Sequence, residues 1–140
     1  MEIPVIITIS GTQHVPGERP ETIELVTHGA YSYEPSYIVL RYAESELTGL
    51  QGVMTSFTIE QDCVLLRRTG ALNSEMRFCI GEPHDSLYDM GFGGLFIRVC
   101  ATKITSLLNE KGGILDLEYA LEIEGTSCGT NTYHITVRPT

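Results

Sequence analysis

The clearest pattern in the chain is a strict alternation of apolar and polar residues between Ile114 and Glu124. The apolar positions are Leu115, Leu117, Tyr119, Leu121 and Ile123. The positions between them are acidic apart from Ala120. Successive side chains of a strand point to opposite faces, so this spacing predicts one buried and one solvated face. Gly112 and Gly113 precede the strand and supply the positive φ angles of a tight turn, which predicts a hairpin of an antiparallel sheet.

The rest of the chain also favours strands over helices. The predicted strands are Ile3–Ser10, Glu21–Glu34, Tyr37–Ala43, Val53–Glu60, Cys63–Thr69, Leu72–Ile80, Leu87–Cys100 and Asn131–Arg138. The predicted connections, rich in glycine, proline or polar residues, are Gly11–Pro20, Glu44–Gly52, Gly81–Ser86 and Gly125–Thr130. The glycines of Gly91–Gly94 predict a bend or bulge within a long strand.

One segment, Lys103–Lys111, fits two structures. Ile104, Leu107 and Leu108 have helical spacing, but the segment is short and lies directly before the predicted turn. We assign it as a strand, because the regular strand beyond the turn needs a partner. The count is then about ten strands joined mostly by short connections. It predicts an all-β fold: a single domain over residues 1–140, built as an antiparallel up-and-down barrel of about eight to ten strands.

Composition narrows the function classes. The formal net charge is −9 over 140 residues, and Arg67–Arg68 is the only adjacent basic pair, so we expect no nucleic-acid partner. No apolar run is long enough for a membrane span, and the N-terminal stretch lacks the features of a signal peptide. The four cysteines, Cys63, Cys79, Cys100 and Cys128, are scattered without zinc-type spacing. Export would allow two disulfides; we expect instead four free thiols in the cytoplasm.

The second half of the chain resembles the YwiB-like family, a bacterial domain of unknown function with a calycin-like, lipocalin-type β-barrel. The resemblance spans roughly Val64–Leu121, and the first half matches it only by strand pattern. It is carried by Arg68-Thr69-Gly70-Ala71, Met76-Arg77-Phe78 with Gly81, Tyr88 with Met90, Phe92-Gly93, Thr102-Lys103, and Lys111-Gly112-Gly113-Ile114 running on to Tyr119. It implies a small cytoplasmic barrel and supplies no catalytic residue, because the family has no assigned activity.

Catalytic and metal-binding motifs are not evident. The four histidines have no ligand spacing, and no nucleophile elbow or phosphate-binding loop occurs. The acidic row that includes Asp116 and Glu118 lacks calcium-loop spacing and is typical of a solvated face. We therefore expect no enzyme activity, no cofactor and no metal.

Three arginines form the one group of residues in the sequence that indicates a ligand-binding site. By alternation, Arg41 shares a face with Val39, Arg68 with Leu66, and Arg98 with Phe96 and Met90. A buried guanidinium is costly unless it is paired, and its planar fork suits carboxylate or phosphate. We hypothesise that Arg41, Arg68 and Arg98, with Tyr88 or Tyr119, line a site for a small anionic or amphipathic molecule in the lumen.

Two alternatives remain open at this point. The arginines could instead reach solvent at the rim or on the outer wall. The chain would then be a structural or protein-interaction barrel with a packed lumen and no ligand. A lumen cavity of about 300 Å³ with converging polar groups would favour binding. We expect a monomer or a homodimer.

Overall fold

The computed structural model describes residues 2–46, 49–89 and 93–140, in which the chain forms ten strands. In chain order they are β1 (Glu2–His14), β2 (Glu21–Tyr33), β3 (Ile38–Ala43), β4 (Val53–Ile59), β5 (Cys63–Gly70), β6 (Ser74–Cys79), β7 (Pro83–Asp89), β8 (Gly94–Asn109), β9 (Gly112–Ile123) and β10 (Thr126–Pro139). Residues in these segments alternate between buried and exposed, as the sequence pattern predicts for half-buried strands.

The strands form one antiparallel sheet that curls into a nearly closed barrel. The sheet order is β6-β5-β4-β3-β2-β1-β10-β9-β8-β7, so β1 and β10 pair in its middle. The two edge strands meet at a bridge between Asn73 and Asp89, whose backbone hydrogen bonds measure 2.9 and 3.0 Å. Bringing the edges together leaves few unpaired backbone groups. The predicted all-β, antiparallel up-and-down barrel is confirmed.

The middle of the barrel is filled by large apolar side chains. Those with almost no exposed surface are Tyr31, Phe57, Phe78, Ile7, Leu40, Leu66, Leu72, Leu115, Leu117, Ile135, Val5 and Val64. Leu115, Leu117 and Tyr119 of β9 point inward, as their alternation predicts. The hydroxyl of Tyr31 donates a hydrogen bond of 2.7 Å to the carbonyl oxygen of Asn109, which gives this buried phenol a partner.

Two predicted loops are partly wrong. β1 continues beyond Ser10 to His14, because Gly11 pairs with Tyr133 of β10 and the tyrosine ring lies over the glycine. Most of the predicted Gly81–Ser86 loop belongs to β7. Pro83 is tolerated there because it is the first residue of an edge strand, where its missing N–H removes no ladder bond.

The predicted strand Leu87–Cys100 is also wrong, since its ends lie in β7 and β8. Residues 90–92, which include Met90, Gly91 and Phe92 of the predicted bend and family motifs, lie outside the described residues. The strand assignment of Lys103–Lys111 is confirmed as far as Asn109. The register shifts between Ala101 and Lys103, so the inward positions change from odd to even numbers and the alternation is lost in the sequence.

The C-terminal turn and the cysteines need correction as well. The predicted Gly125–Thr130 turn is shorter, since β10 begins at Thr126 and contains a register shift between Ser127 and Thr130. The expected four free thiols are wrong for Cys63 and Cys79, which are joined by a disulfide. They are 16 residues apart in sequence and lie directly opposite each other in the β5–β6 pair, with 4.4 Å between their Cα atoms. Cys100 and Cys128 are free.

Candidate functional site

Two of the arginines predicted to face the lumen are on the outer wall, so that placement is wrong. Arg41 lies between the inward residues Leu40 and Tyr42, and its guanidinium binds the carboxylate of Glu2 at 2.7 Å. Its side chain is 48% exposed. Both faces of β3 carry apolar residues, so the alternation identified which residues share a face with Arg41 but not which face is buried.

Arg98 is the second misplaced arginine. Its neighbours Ile97 and Val99 point inward, and its guanidinium forms a two-pronged pair with Asp85, at 2.6 and 3.0 Å. Asp85 lies directly opposite Arg98 in the β7–β8 pair. Hydrogen bonding to Arg98 lowers the pKa of the Asp85 carboxyl. The cross-strand carboxylate already satisfies the guanidinium on the exposed face of the sheet, so Arg98 gains nothing by facing the lumen.

Arg68 is the arginine that the barrel places inside. It belongs to a row of inward polar residues in which each member pairs with the next across neighbouring strands: Tyr42 of β3, Thr55 of β4, Arg68 of β5 and Ser74 of β6. Thr55 is fully buried, and Tyr42 and Ser74 are 6% and 7% exposed. This polar row crosses one end of the barrel, above the apolar centre.

Four tyrosines interact electrostatically with Arg68. Tyr133 hydrogen-bonds to Arg68, and Tyr42 and Tyr88 are close enough to influence its charge. Burial works to lower the pKa of Arg68, but these hydroxyls, Tyr133 first, raise it above its ordinary value. Tyr119 interacts with both Tyr133 and Arg68. The structure thus brings together Arg68, Tyr88 and Tyr119 of the predicted site and separates them from Arg41 and Arg98.

The aromatic rings hold this arrangement in place. The rings of Tyr119 and Tyr133 have centroids 6.1 Å apart, and Tyr119 packs on Phe78 at 4.6 Å. Tyr133 also meets Phe57 edge-on at 6.3 Å. Burial raises the pKa of Tyr119 and of Tyr42 well above the ordinary value, so both hydroxyls remain protonated at neutral pH. Such hydroxyls can donate hydrogen bonds to an anion.

A buried carboxylate completes the polar groups at this end. Glu44, immediately after β3, is 8% exposed and accepts a hydrogen bond of 2.5 Å from the Thr55 hydroxyl. Tyr42 also hydrogen-bonds to it. Glu44 and Arg68 line the same cavity, and the charges of both act on the pKa of Tyr42. Sequence reasoning missed Glu44 because a glutamate in a predicted connection carries no signal of burial.

A cavity of about 300 Å³ opens at this end of the barrel; we call it the mouth pocket. Its walls are the apolar side chains of Ile9, Ile23, Leu25 and Leu50, and its polar lining includes Gly11, Thr12, Gln13, Glu21, Tyr42, Glu44, Arg68, Asn131, Thr132 and Tyr133. Ile23 is 67% exposed, so the outer part of the pocket meets solvent. The volume lies at the lower end of the range for small-molecule sites.

Two residues that line the mouth pocket have a buried donor without a partner. The Nε atom of Arg68 and the side-chain nitrogen of Asn131 are buried without a hydrogen bond, and so is the hydroxyl of Ser74 beside Arg68. Buried donors are nearly always paired in folded proteins, because an unpaired one costs about 1–3 kcal/mol. Orphaned donors next to a cavity indicate a place that a hydrogen-bond acceptor can fill. Asn131 was not singled out in the sequence, where it lies at the start of a predicted strand.

Comparison with known proteins agrees with this architecture. Residues 7–135 match the model of a family described as Domain of unknown function (DUF1934). The chain belongs to this family. A curated relative, the uncharacterized β-barrel protein YwiB of Bacillus subtilis (strain 168), is 28% identical over 122 residues, which is 87% of this chain and 84% of YwiB.

A solved structure gives the same result for the fold of this DUF1934 member. The crystal structure of the ywiB protein from Bacillus subtilis superposes with a TM-score of 0.83 at 25% identity, covering 99% of this chain and 93% of that one. The resemblance seen in the sequence motifs is therefore confirmed, and the chain is an uncharacterised β-barrel protein of unknown function. Within the described residues, no helix has the length and apolar character needed to cross a membrane.

Proposed function

We propose that this barrel binds a small molecule with an anionic head and an apolar body in the mouth pocket, with Arg68 as the residue that holds the head. The observation that carries the proposal is the buried Nε of Arg68, which has no hydrogen-bond partner in the described part of the chain. A guanidinium removed from water loses several kcal/mol of solvation unless an anion compensates it.

The surroundings of Arg68 support a carboxylate or similar oxyanion as the head group. The free donors of Arg68 and Asn131 are joined by the hydroxyl of Tyr133, and all three residues line the pocket. Hydrogen bonds to a charged partner contribute about 1.5–3 kcal/mol each. Because the whole chain carries a net charge of −9, attraction of an anion depends on these local donors.

The walls of the pocket support an apolar body of modest size. Ile9 and Leu25 are buried, whereas Ile23 is exposed, so an apolar chain can lie against the first two and cover the third. Glu44, on the same pocket, would repel a second negative group and favours a ligand with a single anionic end.

The alternative, a structural or protein-interaction barrel without a ligand, is favoured by the packed centre of the lumen. Phe57, Phe78 and Leu40 fill the region below the polar row. The two functions predict different results in binding experiments, because a barrel without a ligand site does not distinguish anions from neutral molecules.

Isothermal titration calorimetry with three probes of equal chain length tests the proposal. Octanoate, octanol and octylammonium have eight carbons each and differ in the head group, which is anionic, neutral and cationic respectively. We expect octanoate to bind at least about tenfold more tightly than the other two, since one charge-assisted hydrogen bond is equivalent to that factor. Equal affinity for the three probes, or no binding of octanoate, would refute the proposal and favour the barrel without a ligand.

A further inference from the structure

At the other end of the β5–β6 hairpin, three side chains that can bind a metal lie close together. Arg68 and Ser74 pair near the turn of this hairpin, whereas Cys63 and Cys79 pair at its open end. The two sulfur atoms and a carboxylate oxygen of Glu82 all lie within 4.8 Å of one another. This cluster is separate from the mouth pocket and shares no residue with it.

The backbone fixes the position of Glu82. The N–H of Glu82 donates to the carbonyl of Cys79 at 3.0 Å, and Gly81, with φ of +77°, allows the chain to turn between them. The N–H of Gly81 also donates to the carbonyl of Ala101 at 3.0 Å, which attaches the turn to β8. Two ligands three residues apart in a tight turn, with further ligands from elsewhere in the chain, is the spacing of many structural zinc sites.

The surroundings of the cluster favour a cation. Glu82 is exposed and Cys63 is half-buried, so the cluster can be reached from solvent. Asp62 adjoins Cys63 in the β4–β5 turn, and the N–H of Glu60 donates to the carbonyl of Cys63, so two further acidic residues belong to the same turn. The described structure has the disulfide form, in which the sulfur atoms are bonded to each other and carry no charge.

We propose that reduction of the Cys63–Cys79 disulfide creates a Zn²⁺ site whose protein ligands are the two thiolates and the Glu82 carboxylate, with water as the fourth ligand. Two low-molecular-weight thiols reduce the bond: they are oxidised to one disulfide, and Cys63 and Cys79 each gain a hydrogen. Zn²⁺ then displaces both thiol protons as the two Zn–S bonds form. Two thiolates and a carboxylate suit Zn²⁺ better than the hard cations Mg²⁺ or Ca²⁺.

The consequence is that the metal site exists only when the surroundings keep Cys63 and Cys79 reduced. In the oxidised protein the disulfide links β5 covalently to β6, which is one of the two edge strands of the sheet. In the reduced protein the metal replaces this covalent link. Either form holds the edge strand at the seam of the barrel, but the metal is bound in only one of them.

The test is Zn²⁺ binding to the full chain before and after reduction. Protein reduced with a phosphine, freed of reductant without oxygen, is titrated with Zn²⁺ against a chromophoric chelator, and Co²⁺ is used in parallel as a spectroscopic probe. We expect one Zn²⁺ per chain with thiolate-to-cobalt charge-transfer bands in the reduced protein. Affinity should be at least about 100-fold weaker after oxidation.

Substitutions assign the ligands. Cys63→Ser and Cys79→Ser should each abolish the charge-transfer bands or reduce their intensity by about half, and Glu82→Gln should weaken Zn²⁺ binding about tenfold or more. The double variant Cys100→Ser, Cys128→Ser keeps the proposed ligands and should bind as the unsubstituted protein does, as should Glu110→Gln in a distant exposed turn.

Three outcomes would overturn the proposal: no Zn²⁺ bound by the reduced protein, equal binding by the oxidised protein, or Zn²⁺ affinity and charge-transfer bands left unchanged by Cys63→Ser. The first two comparisons use the unsubstituted chain, so they hold even where a variant fails to fold. Circular dichroism of each variant separates loss of the metal from loss of the barrel.

Discussion

On the outer wall of the barrel Arg41 and Arg98 meet carboxylates, whereas at the mouth Arg68 meets hydroxyl groups. The outer pairs are about half exposed, and pairs of this kind contribute about 0–1 kcal/mol because water and salt screen them. At the mouth the same side chain is largely removed from water and has an unpartnered donor. An arginine therefore indicates a ligand site when the folded protein leaves one of its donors without a partner. The sequence alone does not show which side chains lie around a given arginine.

The largest effect should come from substituting the inner and outer arginines in turn. Arg68→Gln should lower the affinity for octanoate by about 10- to 100-fold, because it removes the charge and the planar fork from the mouth pocket. Arg98→Gln, which removes the same charge from the outer wall, should change it by less than about twofold. Calorimetric titration of both variants measures this difference, and equal losses would mean that only the net charge matters.

The same contrast should appear in stability without a ligand. Arg68→Met should raise the free energy of unfolding by about 1–3 kcal/mol, because methionine fills the space and removes a buried donor that has no partner. Arg41→Met should change it by no more than about 0.5–1 kcal/mol. Urea unfolding monitored by circular dichroism gives both values. A destabilised Arg68→Met variant would show that the tyrosines already satisfy the guanidinium.

A buried phenol outside the polar row gives a third comparison. The hydroxyl of Tyr31 donates a hydrogen bond to the carbonyl oxygen of Asn109. The buried Nε of Arg68, by contrast, has no hydrogen-bond partner. Tyr31→Phe should lower the free energy of unfolding by about 1–2 kcal/mol, since it leaves a part-buried carbonyl unpaired. Tyr33→Phe, at a position 42% exposed, is the matched control and should have little effect. Equal effects would indicate that water replaces the lost hydroxyl.

The smallest effect concerns alkaline pH. Burial raises the pKa of Tyr31 from 10.0 to about 12, and it also raises the pKa values of Tyr42 and Tyr119 well above the ordinary value. A raised folded-state pKa means that the unfolded chain loses its protons first, so stability is complete below pH about 10 and falls as pH rises through 10–12. Ultraviolet titration of the phenols should show that these three of the seven tyrosines ionise late. A single transition near pH 10 in the folded protein would contradict this.

Much of the fold follows from the sequence, because strand alternation and turn glycines are local features. The hairpin around Gly112 and Gly113 shows this well: both residues have positive φ, and a side chain at either would collide with backbone oxygen. The register shift beside Thr102 is different, since it exchanges inward and outward positions without a turn residue to mark it. The end of β1 depends on its pairing with β10, which is far away in sequence, whereas the start of β7 depends on its pairing with the following strand β8.

The sites were less predictable than the strands. Arg68, Tyr88 and Tyr119 were identified because they share faces with apolar residues, but the same rule also selected Arg41 and Arg98. Alternation says which residues share a face and leaves open which face is the inner one. The pairing of Cys63 with Cys79, and of both with Glu82, depends on the register of the β5–β6 hairpin and on the turn after it. A search for short metal-binding spacings cannot find ligands brought together in this way.

The NMR signal of the Arg68 Nε–H group during titration with octanoate tests most directly whether Arg68 binds the anionic head. This group is the unpartnered donor, and the Nε–H signals of arginines appear separately from backbone amides in a ¹H–¹⁵N spectrum. We expect a saturable shift of the Arg68 signal with octanoate and not with octanol, while the signals of Arg41 and Arg98 stay in place. An unchanged Arg68 signal, or equal shifts for all three arginines, would contradict it.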